Sequence, residues 1–349
     1  MNILVTGGAG YLGSVLVPKL LVRGHRVRIL DLGYFGVGHL RSMRGDVELV
    51  REDIREICED PRESSRVLNE IDCVIHLAAI SNDPSAELDP ALTHQVNFRA
   101  TQALAESAKA QGARFIFSSS CSVYGEAPEE VTEDGKLHPL TAYAESKVNS
   151  DLFLNAIATS NWRPVVLRNG TLFGYSPRMR FDLVVNIFAF MSTCYNEVKI
   201  FGDGRQWRPF LHVSDCARAF AHFAERSENE HIVYNIAHEN LRVIDLVKIF
   251  EEINPNVRPT YLETTDKDVR NYHVSTRRML EAGFQPRATV RDGAQGMVEA
   301  LVTGLIADPE SIFYRNAKWM KELTQFGDVK HKEFVGLIET MAQMLPAKH

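Results

Sequence analysis

The fold of this chain is decided by the stretch TGGAGYLGSVLVPKLLVRGHRVRILD, which occupies residues Thr6–Asp31. The apolar run NILVT leads into it and is typical of a buried strand. Gly7, Gly10 and Gly13 then form a tight turn into a segment of helical apolar spacing, in which Pro18 predicts a kink or a loss of stability. HRVRIL is again typical of a strand. A strand, a glycine turn, a helix and a second strand together predict the first βαβ unit of a parallel sheet.

The same alternation continues through the first half of the chain. DCVIHLAA, ARFIFSSS and PVVLRNG are further strand candidates, and helix-length segments such as TAYAESKVNSDLFLNAIAT lie between them. We expect an α/β fold, a Rossmann-type doubly wound parallel sheet in residues 1–170. Residues 171–307 mix short strands with helices, which predicts a smaller α/β substrate-binding lobe; whether some of its segments return to the first domain stays open. Residues 308–349 have a helical pattern, and nothing in them suggests chemistry.

Composition limits the classes of partner. The chain has 349 residues, of which 45% are hydrophobic, and a net charge of −6, so it offers no broad attraction for nucleic acid or an anionic membrane. No apolar stretch reaches the roughly 18 residues of a membrane-spanning helix, and a glycine cluster that begins at Gly7 leaves no room for a signal peptide. The five cysteines are scattered and lack a CxxC pair, which predicts reduced thiols, no metal site and a cytoplasmic location.

The glycine turn and Asp31 point to a bound dinucleotide. Glycine lets the backbone approach a pyrophosphate closely, and a helix N-terminus favours the anion. Asp31 ends the second strand about twenty residues further on, where an acid accepts a hydrogen bond from a ribose 2′-OH and repels a 2′-phosphate. The alternative is an ordinary carboxylate at a strand end. The combination favours NAD over NADP.

A second constellation is suited to proton transfer. YAESK places Tyr143 and Lys147 four residues apart, on one face of a helix. A free phenol has a pKa near 10, and a nearby ammonium lowers that pKa by favouring the phenolate. Such a tyrosine can accept the proton of an alcohol while hydride leaves the same carbon for a cofactor. FSSSCSVYG supplies Ser120, which can donate to the same oxygen; without it, the pair would be typical of an exposed helix surface.

These features together resemble the extended short-chain dehydrogenase/reductases, in the NAD-dependent epimerase/dehydratase group that acts on nucleotide sugars. The resemblance covers about residues 1–300 and includes TGGAGYLG, EDI, HLAA, VNFRAT, VTEDGKLHPLTAYAESK and YNIA. It implies that Tyr143 is the acid/base, that Lys147 lowers its pKa and binds the nicotinamide ribose, and that Ser120 orients the substrate oxygen. The implied NAD-binding residues are Gly7, Gly10, Tyr11, Leu12, Gly13, Asp31, Asp53, Ile54, Leu77, Ala78, Ala79, Asn97, Ser118, Tyr143 and Lys147. His76 and Cys121 are expected to be a packed histidine and a small core thiol.

The residues before Tyr124 bear on the reaction. Nucleotide-sugar 4,6-dehydratases carry an Asp-Glu pair where this chain has Cys121 and Ser122. At the position of Ser122, uronate decarboxylases carry a glutamate. The epimerase/reductases that act at C3 and C5 carry a cysteine at that same position. The chain therefore most resembles the C4-epimerases, in which hydride leaves C4, the 4-keto sugar rotates and hydride returns to its other face. A 4-ketoreductase of deoxysugars is the alternative, and a non-catalytic dinucleotide-binding regulator is a third hypothesis.

The resemblance also suggests a nucleotide diphosphate sugar as partner. Arg208 stands where family members use an arginine on the pyrophosphate, and Arg178 where 4-epimerases of uronic acids have one. Asp182 replaces an asparagine that touches the diphosphate, and Trp207 is expected to pack. The predicted substrate-binding residues are Ser81, Ser120, Thr171, Arg178, Arg208 and Arg270. The resemblance implies a homodimer through the helices that carry Asn97 and Tyr143.

Overall fold

The computed structural model describes residues 1–43, 45–263 and 270–324. Its main sheet has seven strands in the order β10-β6-β5-β4-β1-β2-β3, and every neighbouring pair is parallel. The predicted Rossmann-type α/β fold is therefore confirmed. The seven strands are β1 (Asn2–Thr6), β2 (Arg26–Leu30), β3 (Val47–Val50), β4 (Cys73–His76), β5 (Arg114–Ser120), β6 (Val165–Asn169) and β10 (Val233–Ile236).

Helices cover both faces of this sheet. The first, α1 (Gly13–Val22), continues through Pro18 and buries Leu16, Val17 and Leu20 against the sheet. The others are α2 (Ile54–Glu59), α3 (Pro61–Leu68), α4 (Asp83–Ala86), α5 (Pro90–His94), α6 (Ala100–Ala110), α7 (Ala142–Ala156), α8 (Val184–Tyr195), α9 (Val213–Glu225), α10 (Val243–Ile253), α11 (Arg277–Glu281), α12 (Val290–Val302) and α13 (Asn316–Thr324). Short 3₁₀ helices span Gly38–Met43, Cys121–Tyr124 and Ile312–Tyr314, and a π-helical turn spans Gln95–Arg99.

The strand order creates the crevice in which a ligand can bind. The chain runs outward from β1 through β2 to β3 and then crosses back to β4 on the other side of β1. Connections leave β1 and β4 in opposite directions, so their carboxyl ends are not covered by a shared helix. Open α/β sheets bind ligands at this reversal. The glycine turn follows β1, and HLAA forms the end of β4 and the start of the next loop.

A smaller lobe lies over these carboxyl ends. One of its sheets has the order β11-β9-β7, and a second pairs β12 with β8. Its strands are β7 (Thr171–Phe173), β8 (Glu197–Phe201), β9 (Trp207–His212), β11 (Glu239–Arg242) and β12 (Arg258–Leu262). Between β9 and β11 the chain returns to the main sheet, because α9 packs against α1 and β10 pairs with β6.

The C-terminal extension packs back on the body of the protein as far as the structure describes it. Trp319 and Leu323 of α13 form a small apolar cluster with Tyr34 and Phe35, which follow β2. The remainder of the predicted extension, residues 325–349, lies outside the described residues. Among the residues that are described, no helix has the length and apolar character that a membrane crossing requires.

Candidate active site

A cleft of about 910 Å³ lies between the carboxyl ends of the main strands and the lobe. It brings together nearly all of the residues that the sequence predicted, from the glycine turn to the substrate lobe. The predicted residues that line it are Gly7, Gly10, Tyr11, Leu12, Gly13, Asp31, Asp53, Ile54, Leu77, Ala78, Ala79, Ser81, Ser118, Ser120, Tyr143, Thr171, Arg178, Arg208 and Arg270. Two predicted residues, Asn97 and Lys147, lie behind this lining.

The glycine turn is packed too tightly for side chains. A Cβ atom on Gly7 would lie 2.7 Å from the amide nitrogen of Ala78, and Gly7 has a φ of +71°. A Cβ atom on Gly13 would lie 2.5 Å from the carbonyl oxygen of Gly7. The backbone therefore forms the wall of the cleft here, and α1 begins at it, which is the arrangement that holds a pyrophosphate.

Asp31 is held rigidly at the edge of this wall. Its Oδ2 accepts a hydrogen bond from the Ala9 amide at 2.9 Å, and its Oδ1 accepts one from the Gly33 amide at 2.8 Å. Burial raises the pKa of the carboxyl group, while these two amides oppose the rise. Because each carboxylate oxygen can accept a second hydrogen bond, the group can still bind a ribose hydroxyl. The turn and this carboxylate fit a dinucleotide.

Two other residues predicted to bind the cofactor have partners within the protein. Asp53 caps α2 by accepting from the Arg55 amide, and it forms an ion pair with the Arg55 guanidinium at 2.6 Å. The amide of Asn97 is fully occupied: its Oδ1 accepts from the Ile80 amide at 2.8 Å, and its Nδ2 donates to the Ile80 carbonyl and the Ser146 hydroxyl. The structure thus places Asn97 behind the lining of the cleft, where it ties the loop after β4 to α7, and its role in cofactor binding stays a prediction.

The three residues predicted to be catalytic do come together. The hydroxyl group of Ser120 lies close enough to the phenol of Tyr143 to lower its pKa, but burial dominates and raises that pKa to about 12. Lys147 donates to the Ser118 carbonyl at 2.8 Å, and its Nζ lies 5.7 Å from the centre of the Tyr143 ring. Burial lowers the pKa of Lys147 to about 8. The protein alone therefore holds the tyrosine as a neutral phenol with a lysine behind it.

Contacts on α7 fix this geometry. Thr141 caps the helix by accepting from the Ala144 amide. One turn after Lys147, Asp151 forms a buried ion pair with Arg168 of β6 at 2.8 Å. Because a buried pair with good geometry is costly to break, it anchors α7 to the sheet and so sets the position of Tyr143 and Lys147.

His76, Cys121 and Trp207 pack against other parts of the protein. The His76 ring lies between the hydroxyl groups of Thr6 and Thr101, and burial lowers its pKa to about 3. The Cys121 thiol is buried and donates to a backbone carbonyl, and burial raises its pKa. Trp207 packs beside His273 and Arg242, outside the lining of the cleft.

Arg180, which no sequence motif singles out, lies near Tyr143. We call this part of the cleft, around Ser120, Tyr143 and Lys147, the catalytic end. The charge of Arg180 acts on the phenol of Tyr143, and its Nη1 lies 3.4 Å from the Ser81 hydroxyl. It forms a two-fold hydrogen-bonded ion pair with Asp182, at 2.9 and 3.0 Å. Asn82, at an unusual φ of +102°, donates to the same carboxylate. The negative charge of Asp182 is therefore balanced and would not simply repel a phosphate.

Arg178 is a neighbour of Arg180 and also lies near Asp31, at the edge of the glycine turn. Its guanidinium stacks on Phe35, 3.8 Å from the ring centre, and its Nη2 donates to Asn316 of α13 at 2.5 Å. Asn316 and Ala317 line the cleft. No signal in the sequence singles out these two residues, because a polar residue at the start of an amphipathic helix is ordinary.

The substrate lobe supplies the remaining walls. Arg208 donates a hydrogen bond to the Trp207 carbonyl at 2.8 Å. Arg270 forms an ion pair with Asp83. The carboxylate of Asp83 also raises the pKa of Tyr143. Beyond the two arginines the lining includes Lys199, Phe201 and Gln206, and Phe201 is 60% exposed. Within the described ranges no group of three or more histidine, cysteine or acidic side chains could hold a metal ion.

The chain is similar to known proteins over most of its length. The profile of the NAD dependent epimerase/dehydratase family matches residues 3–237. UDP-glucuronic acid decarboxylase 1 of Arabidopsis thaliana is 28% identical over 327 residues, which cover 89% of this chain and 72% of the relative. dTDP-glucose 4,6-dehydratase of Streptomyces griseus is 32% identical over 311 residues, with coverages of 85% and 93%. The structure of UDP-glucose 4-epimerase from Thermotoga maritima, with UDP-glucose, superposes with a TM-score of 0.78 at 29% identity, with coverages of 87% and 100%. These relatives catalyse three different reactions.

Proposed function

Because the chain belongs to the NAD-dependent epimerase/dehydratase family, we propose that it inverts C4 of a nucleotide diphosphate sugar through a transient 4-keto intermediate. It is an enzyme of this family and uses NAD. The observation that supports C4 inversion is a catalytic end with a serine, a tyrosine and a lysine, in which the described carboxylates nearby, Asp83 and Asp182, are each paired with an arginine.

The carboxylates of this end support that choice of reaction. Asp83 pairs with Arg270, and Asp182 pairs with Arg180. Ser122, one of the residues that line the cleft, stands where dehydratases and decarboxylases are expected to carry an acid. Expulsion of water from C5 and C6 needs an acid and a base besides the tyrosine, whereas C4 inversion needs only a single proton acceptor at O4.

The residues act on one hydroxyl group in both directions. When bound along the glycine turn and Asp31, NAD would supply the acceptor for the hydride of C4. The Tyr143 oxygen accepts the proton of the C4 hydroxyl, and Ser120 donates a hydrogen bond to the same substrate oxygen. The positive charge of Lys147 favours the phenolate against the burial that raises the pKa of Tyr143 to about 12. After the 4-keto sugar has rotated within the site, Tyr143 returns the proton to O4.

The lobe is suited to a nucleotide diphosphate. The guanidinium groups of Arg208 and Arg270 line the cleft between the catalytic end and the exposed ring of Phe201. Arginine binds phosphate through two parallel hydrogen bonds, and an exposed aromatic ring can stack on a base. Near the sugar, Arg180 and Asp182 balance each other, which favours an uncharged sugar over a uronate.

The test is a panel of UDP-, GDP-, CDP- and dTDP-sugars, including uronates, followed by NMR without added reductant. We expect one pair of C4 epimers to interconvert, with more rapid turnover of the uncharged sugars. If no sugar epimerises but a 4-keto sugar consumes NADH, the chain is a ketoreductase. If neither reaction occurs and NAD still binds, the chain is a binding protein that has lost turnover.

We expect Asp31 to set the choice of cofactor. Wild-type protein should bind NAD in preference to NADP, because the carboxylate accepts from the 2′-OH and repels a 2′-phosphate. Asp31→Asn should weaken NAD binding about 10-fold or more and reduce or reverse the preference. Calorimetric dissociation constants for both cofactors measure this. Glu228→Gln, on an exposed loop, is the matched control, and equal wild-type affinities for NAD and NADP would contradict the assignment.

We further propose a homodimer through the helices that follow Asn97 and contain Tyr143. These helices, α6 and α7, pack together, and Leu152 on α7 remains 57% exposed. Light scattering should give the mass of a dimer at micromolar concentration, and Leu152→Glu should give a monomer. Leu280→Glu, at a similarly exposed leucine on α11, should leave the mass unchanged. A wild-type monomer would contradict this proposal.

We also place the protein in the cytoplasm. Its five cysteines are all unpaired, as expected in a reducing compartment. Fractionation of cells that produce the native chain would test this location.

A further inference from the structure

We infer that Arg178, held in place by Asn316, binds the phosphate groups of the dinucleotide from the side of the cleft opposite the glycine turn. The inference depends on the binding of NAD and not on which reaction the enzyme catalyses. It also differs from the expectation that Arg178 recognises a uronate.

The first argument is an uncompensated charge. Arg178 is 4% exposed, and among residues 1–43, 45–263 and 270–324 no carboxylate forms an ion pair with it. Its Nη1 donates to the Met179 carbonyl and its Nη2 to Asn316, but its Nε has no hydrogen-bond partner. Burial and the neighbouring charge of Arg180 lower its pKa to about 9. A buried charge in this state is costly unless an anion joins it.

The second argument is position. Arg178 lines the cleft and stacks on Phe35, and the negative charges that act on it are those of Asp182 and then Asp31. The loop that carries Arg178 contacts the glycine turn, because Ser176 donates to the Tyr11 carbonyl at 2.7 Å. Asp31 marks the ribose end of the dinucleotide site, and Tyr11 belongs to the turn that holds the pyrophosphate. The anion that belongs between these two points is the phosphate of the dinucleotide. The neighbouring guanidinium, that of Arg180, is already paired with Asp182.

The third argument is how the guanidinium is held. Asn316 begins α13, and Trp319 of the same helix donates to the Tyr34 carbonyl at 2.6 Å. On the other side, the Tyr314 carbonyl accepts from the Phe181 amide at 2.7 Å. The C-terminal segment Ile312–Leu323 thus joins the loop after β2 to the segment that carries Arg178. Asn316 is a positioning residue that aims the guanidinium without neutralising its charge.

The experiment compares ligand binding by wild type, Arg178→Met and Asn316→Asp, with Arg277→Met as a control at an exposed arginine. We expect Arg178→Met to weaken the binding of NAD and of ADP-ribose about 10- to 100-fold and to leave adenosine binding unchanged. Asn316→Asp should weaken NAD similarly, because its carboxylate would pair with Arg178 and compete with the phosphate. The affinity of wild type for NAD should also fall more steeply with salt than that of Arg178→Met.

Stability separates this role from a structural one. Without NAD, Arg178→Met should melt no lower than wild type, since it removes an unpaired buried charge, while the NAD-induced rise in melting temperature should shrink. If Arg178→Met fails to fold, Arg178→Lys keeps the charge but loses the planar fork, and it should show intermediate NAD affinity. Unchanged NAD affinity in Arg178→Met or Arg178→Lys, or an equal loss of adenosine binding, would overturn the inference.

Discussion

Replacing Tyr143 by Phe is expected to lower turnover about 10²–10⁴-fold while the fold and NAD binding stay nearly intact. The phenol oxygen contributes little packing, but in the proposed mechanism it accepts the C4 proton, and hydride cannot leave an alcohol that keeps its proton. Ser120 cannot replace it, because a hydroxyl without a neighbouring base is a weak proton acceptor. Epimerisation followed by NMR gives the rate, and fluorescence titration gives NAD affinity.

The matched control for this variant is Tyr261→Phe, at an exposed tyrosine in β12. It should retain the wild-type rate. The thermal unfolding temperature of Tyr143→Phe should lie close to that of wild type, because the ring stays in place. Wild-type turnover in Tyr143→Phe would contradict the mechanism, and a lost fold would mean that the hydroxyl is structural.

Replacing Lys147 by Met is expected to impair both turnover and cofactor binding. The side chain keeps its volume, but the phenolate of Tyr143 loses the cation that stabilises it, so turnover should fall by about 10²–10⁴-fold. NAD should bind more weakly too, if the ammonium also contacts the nicotinamide ribose. Single-turnover rates and NAD dissociation constants separate the two effects. A variant that loses NAD affinity alone would leave Lys147 with a binding role only.

The pH dependence follows from the same lysine. Burial lowers the pKa of Lys147 to about 8, so the positive charge is present below that pH and is lost as the pH rises through it. We therefore expect wild-type turnover to decline above about pH 8, even though a higher pH would otherwise favour a phenolate. The pH–rate profile of Lys147→Met should lack this decline. A wild-type rate that keeps rising with pH would contradict the role of the charge.

Much of the fold was accessible from the sequence, because local patterns determine it. The glycines after NILVT predict a turn in which two backbone segments approach each other closely. In the structure, a Cβ atom on Gly7 or Gly13 would indeed meet backbone atoms. Continuous apolar strands alternating with helices permit a parallel sheet and little else. Tyr143 and Lys147 share a face through helix geometry alone, so their proximity needed no tertiary information.

Other assignments failed to follow from local pattern. Asn97 lies in a recognisable motif, yet its amide is used by Ile80 and Ser146. Arg178 and Arg180 are two residues apart in sequence, and an extended or irregular segment can turn either one toward the catalytic end. The hydrogen bond of Arg178 to Asn316 and its stacking on Phe35 determine where its guanidinium group lies.

The sequence by itself determined the parallel sheet, the dinucleotide turn with its acid, and the serine, tyrosine and lysine of the catalytic end, because each depends on spacing within a strand, a turn or a helix. The tertiary structure was needed to show that Arg180 lies near Tyr143, that Asp182 is paired with Arg180, and that α13 reaches the cleft. These depend on contacts between segments far apart in the chain, such as Arg178 with Asn316. Such contacts are fixed by how the two layers and the lobe pack, and no local pattern encodes them.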